Sequence, residues 1–451
     1  MLSQSQLIPR HIVVIGGGFS GTLLAINLMR HDGPRVTIIE RGVKARGMAY
    51  ATSNASHLLN VRASNMSAFP DKPDHFANWF EQHGGQPDGF ASRQLYGRYL
   101  GELLETAQNQ HSCLELIDSE AVHLSMDQHA VAVVLDDGRT VHGDIAVLAV
   151  GNLPPHPPPG LNPEALGDRY RSDSWSSDIT VGLQADDRVL LIGTGLTAVD
   201  AALTLNDAEF TGTLVAISRR GLLPRAHGNS GHSTNDAPVA GTSFAKLLHQ
   251  VRRRTIKMGW RQSVDELRPV TQRIWQRANV AERERFLRHL RPWWDVHRHR
   301  LAPQIAERLA NMQMTGMLHV YAGALVNFVA ADNSVKTIWR PRGSALAMED
   351  RFTRIINCTG AGGDLSRSNQ ILLHSLVDTA TIRPDAARLG IDVDSQCRTL
   401  NAQGAVNHRL LAVGPLTRGT FWEITAVPDI RRQVWEIARR LSNAHWVGGD
   451  L

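Results

Sequence analysis

Apolar positions near the start of the chain change period twice within a short stretch. Ile12, Val13, Val14 and Ile15 form a continuous β-like run, which meets Gly16, Gly18 and Gly21. Leu23, Leu24, Ile26 and Leu28 follow at helical spacing, and a second run at residues 36–39 ends on Glu40. The pattern predicts a strand, a glycine turn, a helix and a second strand. It returns further along: apolar residues 189–192, then Gly193, Gly195 and Ala198 where a third glycine would stand, then a helical stretch and a run at 213–217. The second copy ends on Ser218, Arg219 and Arg220 instead of an acid.

These residue types suit a β-α-β dinucleotide cradle. Gly16 permits the tight turn, Gly18 lets the backbone approach a pyrophosphate, and Gly21 lets helix and strand pack closely. Gly193, Gly195 and Ala198 repeat those roles, alanine being an accepted variant at the third position. Ser20 and Thr197 fall in the first helical turns, where free N–H groups and the helix dipole favour phosphate. A carboxylate at Glu40 can accept both hydroxyls of an adenosine ribose. An arginine pair at Arg219 and Arg220 suits a 2′-phosphate, so the second site is expected to prefer NADP over NAD. Arg41 and Arg46 are candidate neighbours of the first pyrophosphate.

Between the cradles, residues 57–80 (HLLNVRASNMSAFPDKPDHFANWF) form a long Asn-, Ser- and Pro-containing segment with embedded aromatics. Either a bound ring system lies under it, with Asn65 and Met66 against the ring, or the segment is an ordered loop that covers the sheet. Residues 96–108 read as a helix, 114–141 as short strands with a hairpin at 136–139, and 145–150 as a strand ending at Gly151. The proline-rich NLPPHPPPG that follows is a stiff connector.

From about 225 to 315 the composition shifts to Arg, His, Trp and Gln. Phe286, Leu290, Trp293, His297, Leu301 and Ile305 share one helical face, which Pro292 and Pro303 interrupt. His297 and His299 are two apart and cannot form an i, i+4 metal pair, and no metal is expected. Strand-like runs at 318–321, 325–329, 335–339 and 354–358 end at Gly360. The order repeats that of the first half and implies an internal duplication. A last strand at 410–413 runs into Gly414, then a loop with Phe421 and Trp422, then a helix from about 426. That helix start, with Thr425 before it, would aim N–H groups at anionic character; a plain C-terminal docking helix is the alternative.

The expected fold is therefore α/β with two Rossmann-like dinucleotide-binding domains and a helical insertion in the second. The boundaries read as 1–155 for the first part of one dinucleotide-binding domain, 156–358 for an NADP-binding domain with its insertion at about 225–315, and 359–451 for the rest of the first domain. A length of 451 residues supports that count.

Charge and cysteine usage narrow the function. The net charge of +5 rests on arginine, since only five of the 48 basic residues are lysine. Such an excess suits anionic cofactors and does not call for nucleic acid; Arg252, Arg253 and Arg254 read as a solvated helical face. Cys113, Cys358 and Cys397 lie far apart without a C-x-x-C, which argues against a redox dithiol. No stretch has the length of a membrane span, no membrane partner is expected, and the cytoplasm is the expected location.

With these pieces in place, the chain resembles the two-dinucleotide-domain flavoproteins, and specifically the YdhS-like FAD/NAD(P)-binding family. The resemblance runs nearly end to end through IGGGFSG, RGMAY, HLLNVRASNMSAFPD, DHFANWF, LYGRYL, IGTGLTAVD, FLRHLRPWWDVHRHR, NCTG and AVGPLTRGTFWEITAVPDIRRQ. It implies FAD in the first cradle and NADPH in the second. At superfamily level the chain looks like the class B flavin monooxygenases, although their F-x-G-x-x-x-H-x-x-x-[FY] motif is replaced here by DRYRSDSW at residues 168–175.

The expectation is an NADPH-dependent flavoenzyme that hydroxylates a small substrate with molecular oxygen through a flavin hydroperoxide. Asn65, Met66 and Trp422 are the candidates beside the ring. A flavin reductase or dehydrogenase without oxygen insertion, and a non-enzymatic FAD-binding redox sensor, are the alternatives. The chemistry belongs to the cofactor, which accounts for the lack of a Ser/His/Asp or paired-carboxylate constellation.

Overall fold

A run as uniformly apolar as residues 12–15 belongs to a strand covered on both faces, the situation of a parallel sheet. The computed structural model describes residues 9–42, 45–228 and 243–442. It opens with β1 (His11–Ile15), α1 (Phe19–Arg30) and β2 (Arg35–Ile39), followed by α2 (Gly47–Tyr50), α3 (His75–Gln82) and α4 (Arg93–Gln110). The Ser92 side chain accepts from the Leu95 N–H at 3.1 Å. This cap starts α4 three residues ahead of the sequence expectation. Next come β3 (Leu114–Ile117), β4 (Ala121–Met126), β5 (Val131–Leu135), β6 (Thr140–Gly143) and β7 (Ile145–Leu148), with β5 and β6 forming the hairpin read at 136–139.

Beyond the connector lie α5 (Pro163–Leu166), β8 (Tyr170–Arg171), β9 (Arg188–Ile192), α6 (Leu196–Asp207) and β10 (Thr213–Ser218). The insertion is helical where it is described: α7 (Phe244–Met258), α8 (Trp260–Asp265), α9 (Arg268–Arg277), α10 (Val280–His289), α11 (Arg291–Arg298) and α12 (Pro303–Met314). Its stretch from 229 to 242 lies outside the described residues. Pro292 and Pro303 sit in the first turns of α11 and α12, where a missing N–H leaves no gap in the ladder. The single apolar face read over 286–305 is thus shared among three helices.

The chain closes with β11 (Leu318–Ala331), β12 (Ser334–Pro341), β13 (Met348–Phe352), β14 (Arg354–Asn357), α13 (Ile371–Asp378), β15 (Arg398–Leu400), β16 (Val406–Ala412) and α14 (Val427–Leu441). The runs at 318–321 and 325–329 are one strand. Its first part pairs parallel with β10 and its second antiparallel with β12, with a bulge between Leu325 and Asn327.

Two compact units result, one of residues 1–53, 62–153 and 363–451, the other of 54–61 and 154–362. The first holds a six-stranded sheet in the order β15-β16-β7-β1-β2-β3, parallel except at β15, and the small antiparallel sheet β4-β5-β6. Val13, Ile15 and Leu148 share a core with Val131, Val133, Leu372 and Leu376, so β4–β6 and α13 cover one face. Helices α4 and α14 pack on α1 at the other. The second unit has one seven-stranded sheet, β13-β12-β11-β10-β9-β14-β8. Its core joins Leu190, Ile192, Val215 and Ile217 to Phe328, Trp339 and Phe352. No helix among the described residues is long and apolar enough to cross a membrane.

Candidate functional site

The first cradle is built by close approach. Gly16 has φ +103°, and a Cβ there would lie 2.5 Å from the carbonyl oxygen of Ala149, the residue after β7, which is the strand next to β1. A Cβ on Gly21 would lie 1.9 Å from the Gly16 carbonyl oxygen and 3.0 Å from Val14, so glycine is required for α1 to sit this near its strand. No side chain caps α1 and its first turn carries no acid. Its leading N–H groups therefore offer an anion site.

Glu40 folds over this turn, with Oε2 accepting from the Gly17 N–H at 2.7 Å and Oε1 from the Gly42 N–H at 2.8 Å. The carboxylate stands at the glycine turn with its lone pairs turned toward it, where a ribose can compete for them. Arg41 is exposed and lies 2.5 Å from partly buried Glu120 in an ion pair, and half-buried Arg46 stands at the N-cap position of the short α2 without a side-chain cap bond.

Two features here were not read from the sequence. Gly47, with φ +52°, brings α2 against the cradle: a Cβ on Gly47 would lie 3.1 Å from Gly18 Cα. The string RGMAY held that signal. The other is Gln433, buried on α14, whose Oε1 accepts from the Gly414 N–H at 2.8 Å and whose Nε2 donates to Thr417 Oγ1 at 3.1 Å. Gly414 has φ +75°, and its Cβ would strike buried Ser20 Oγ at 2.3 Å. The structure thus brings Gly414 and Ser20 together at the first turn of α1. A lone glutamine on an amphipathic helix gives no sequence signal.

The three candidates beside the ring differ in setting. Asn65 is exposed on a single 3-10 turn, and Met66 is buried with its carbonyl accepting from Tyr96 OH at 2.9 Å. Trp422 is buried under the Arg418 guanidinium, 4.3 Å from its ring centre. Thr425 is exposed in the turn before α14. An aromatic group of Phe19, Tyr50 and Tyr96 backs the cradle; burial pushes the Tyr50 hydroxyl up to about 12, so it stays neutral at physiological pH.

The second cradle repeats the first. Gly193 has φ +117° and a virtual Cβ 2.4 Å from the Cys358 carbonyl oxygen. The Gly193 N–H donates to Ile217 O at 2.8 Å, as the Gly16 N–H does to Ile39 O at 2.9 Å. Helix α6 likewise lacks a side-chain cap and an acid in its first turn. Thr197 is half-buried on that turn. Among the described residues no atom lies within 4 Å of the Cβ position of Gly195, nor of Gly151 and Gly360. Ser218 is occupied internally, its Oγ 2.8 Å from Thr194 Oγ1 and accepting from the Gly221 N–H at 3.0 Å. Arg219 projects exposed from this clip and Arg220 is half-buried.

A segment missed by sequence reading, 54–61, also belongs to this unit. Buried His57 sits 3.0 Å from Asp200 O and 2.9 Å from Thr204 Oγ1. Asn54 donates to Asp207 at 3.1 Å, and Arg308 bridges Ser56, Asn206 and Asp207. The segment clamps the far end of α6 to α12.

Both cradles fit a dinucleotide: each pairs an uncapped helix N-terminus with a glycine turn that admits backbone approach. The described residues hold no cluster of His, Cys, Asp or Glu suited to a metal. All three cysteines are free, and burial pushes the Cys358 thiol up and the Cys397 thiol up to about 12.

Residues 13–153 match a family model described as FAD-NAD(P)-binding. No curated protein matches the sequence. Among solved structures, the chain is similar to the ornithine hydroxylase PvdA of Pseudomonas aeruginosa, with a TM-score of 0.65 at 16% identity over 96% of this chain and 99% of that one. The FAD-bound cadaverine monooxygenase DfoA of Erwinia amylovora gives 0.67 at 14% identity over 96% and 94%. Lactococcus lactis thioredoxin reductase gives 0.55 at 14% identity over 96% and 99%. The α/β fold with two dinucleotide-binding domains is therefore the fold of this chain.

Proposed function

We propose that the protein is an NADPH-dependent, FAD-containing monooxygenase that hydroxylates a small nucleophilic substrate and belongs with the YdhS-like flavoproteins. One observation carries the reading: two cradles with the same glycine turn and the same strand-to-turn hydrogen bond, whose second strands end in opposite charge, Glu40 and Arg219. A carboxylate favours ribose hydroxyls and an exposed guanidinium favours a 2′-phosphate, so the first cradle is the FAD seat and the second the NADPH dock. In this reading the N-termini of α1 and α6 hold the two pyrophosphates, with Gly18, Ser20 and Arg46 at the first and Gly195 and Thr197 at the second. Met66, Asn65 and Trp422 border the flavin ring, with Gly414 fixing the start of the loop that carries Trp422. FAD, when bound, supplies hydride acceptance from NADPH and delivery of the reducing equivalents to oxygen; the protein orients the partners and excludes water.

The solved relatives include both oxygenases and a thioredoxin reductase. Two of the three thiols here are buried and held protonated, which supports the oxygenase side. One feature favours a flavin reductase instead: where the monooxygenase motif would stand, residues 168–175 form the short β8 and an ion pair of Arg171 with Asp178 at 3.0 Å.

The test follows NADPH oxidation and peroxide release together in the purified yellow protein, with ornithine, lysine and cadaverine as first substrates. The oxygenase reading expects one of them, or another small amine, to raise NADPH use while peroxide falls. Peroxide equal to NADPH consumed with every nucleophile offered assigns a reductase, and protein that binds no flavin removes both readings.

A further inference from the structure

The two arginines that end β10 have unlike surroundings. Arg219 is exposed and makes no hydrogen bond or ion pair with any described residue. Arg220 is half-buried, and its Nη2 donates to the carbonyl of His289, the last residue of α10, at 3.4 Å. A helix C-terminus is a favourable place for a cation, because its final carbonyls lack intrahelical donors.

The chain then continues as a seam along the insertion. The Arg225 N–H donates to Val296 O at 2.9 Å, the Leu301 N–H to Arg225 O at 2.8 Å and the His227 N–H to Leu301 O at 2.9 Å. Arg261 donates to Ala226 O at 3.0 Å while its guanidinium lies 4.4 Å over the Trp260 ring. Arg300, itself buried, covers the same ring at 5.0 Å and pairs with Asp265 at 2.8 Å. Upstream, Thr194 and the Gly221 N–H pin Ser218. The turn carrying both arginines is therefore held at one end by the cradle and at the other by the helices α10 and α11.

We propose that Arg219 alone discriminates the 2′-phosphate, and that Arg220 is a positioning residue that fastens the specificity turn to the insertion, so that a ligand bearing a 2′-phosphate tightens α10 and the seam behind it. A phosphate between two equivalent arginines would leave both free in the absence of ligand; here only one is. The inference rests on the NADPH reading of the second cradle.

The probes are 2′,5′-ADP, which carries the 2′-phosphate, and 5′-AMP, which lacks it. Binding is measured by calorimetry on the FAD-loaded protein and backbone hydrogen exchange by mass spectrometry. Wild type is expected to bind 2′,5′-ADP about ten- to a hundredfold more tightly than AMP, the scale of charge-assisted hydrogen bonds, and to show slower exchange over residues 285–301 with 2′,5′-ADP only. Arg219→Ala should erase the affinity difference and leave ligand-free exchange over 285–301 as in wild type. Arg220→Ala should keep the difference to within about threefold yet speed exchange there and abolish the protection by 2′,5′-ADP; Arg220→Lys should restore part of that protection. Equal loss of discrimination in both alanine variants, or unchanged exchange over 285–301 in Arg220→Ala, overturns the proposal while leaving the NADPH dock intact. Equal binding of the two probes by wild type overturns both.

Discussion

The two cradles share their turn geometry and differ in what covers them. Helix α1 is buried at eleven of its twelve positions, whereas α6 is buried at seven of twelve. At the first turn, Gly18 meets Gly47 of α2 and Ser20 meets Gly414; at the second, Gly195 faces open space and Arg219 stands in solvent. The same strand-turn-helix can thus be a closed seat or an open dock, depending on the protein packed over the helix. A resident FAD and a coenzyme that arrives and leaves suit these two environments.

The largest effect expected from breaking this contrast is at the third position of the motif. A methyl at Gly21 would lie 1.9 Å from the Gly16 carbonyl oxygen, and buried α1 has nowhere to retreat, so Gly21→Ala should cost about 3–5 kcal/mol of stability and the bound flavin. The reciprocal change, Ala198→Gly, adds the backbone entropy of glycine to the loss of one buried methyl, together about 1–2 kcal/mol. Chemical unfolding and the flavin retained on purification measure both. Equal losses in the two variants would remove the difference in helix approach.

Charge reversal should be next in size. Arg219→Glu gives the second cradle the acidic end of the first, and the coenzyme preference should move from NADPH toward NADH by about 2–3 kcal/mol or more, since charge-assisted bonds to the phosphate are lost and repulsion replaces them. The ratio of kcat/KM values for the two coenzymes reads this directly. A ratio that stays put would place the 2′-phosphate elsewhere.

Both cradles were legible because each needs a glycine for a steric reason and each ends on a charge, and such requirements leave marks in residue identity. The covering parts were less legible. Gly47 stands within RGMAY with no local sign of its role, because its partner Gly18 lies far away in sequence. Gln433 and Thr194 act through side-chain hydrogen bonds that many residues in amphipathic or turn settings never make. Strand β11 was read as two runs because Gly323 interrupts its apolar pattern; that glycine is needed where a Cβ would lie 2.7 Å from the Trp339 ring. The segment 54–61 shows no periodicity, and its attachment to α6 depends on polar side chains that also suit any surface loop. For Asn65, Met66 and Trp422 the sequence offers only a loop setting and a residue type, and their unlike burial reflects how little these say about which face a side chain presents.

A smaller effect belongs to Gly195. No described atom lies within 4 Å of its Cβ position, so Gly195→Ala should still fold, losing no more than about 1 kcal/mol because alanine is a poorer N-cap than glycine. The added methyl would stand where a pyrophosphate approaches, and KM for NADPH should rise at least about tenfold, which is 1.4 kcal/mol of binding. Unfolding curves and coenzyme kinetics on one preparation separate the two. An unchanged KM would show that the coenzyme keeps its distance from this turn.

The smallest expected effect distinguishes how the two helices are anchored. Apolar packing against α4 and α14 holds α1, whereas polar contacts from 54–61 and Arg308 grip the end of α6. Within that grip burial alone would raise the Asp207 carboxyl, but its bonds from Arg308, Ser56 and Asn54 outweigh this and hold it below the usual carboxylate range. A carboxylate depressed in the folded state stabilises fully above its unfolded value of about 4 and loses that contribution as pH falls through the folded value. Asp207→Asn should therefore lower stability by under about 1 kcal/mol, since Asp207 and Arg308 are each about a third exposed. The gap between variant and wild type in urea unfolding should be constant from about pH 7 to 5 and close below about pH 4. A gap that persists unchanged to pH 3 would mean that shape, and not charge, fastens α6, and the two anchors would then be alike.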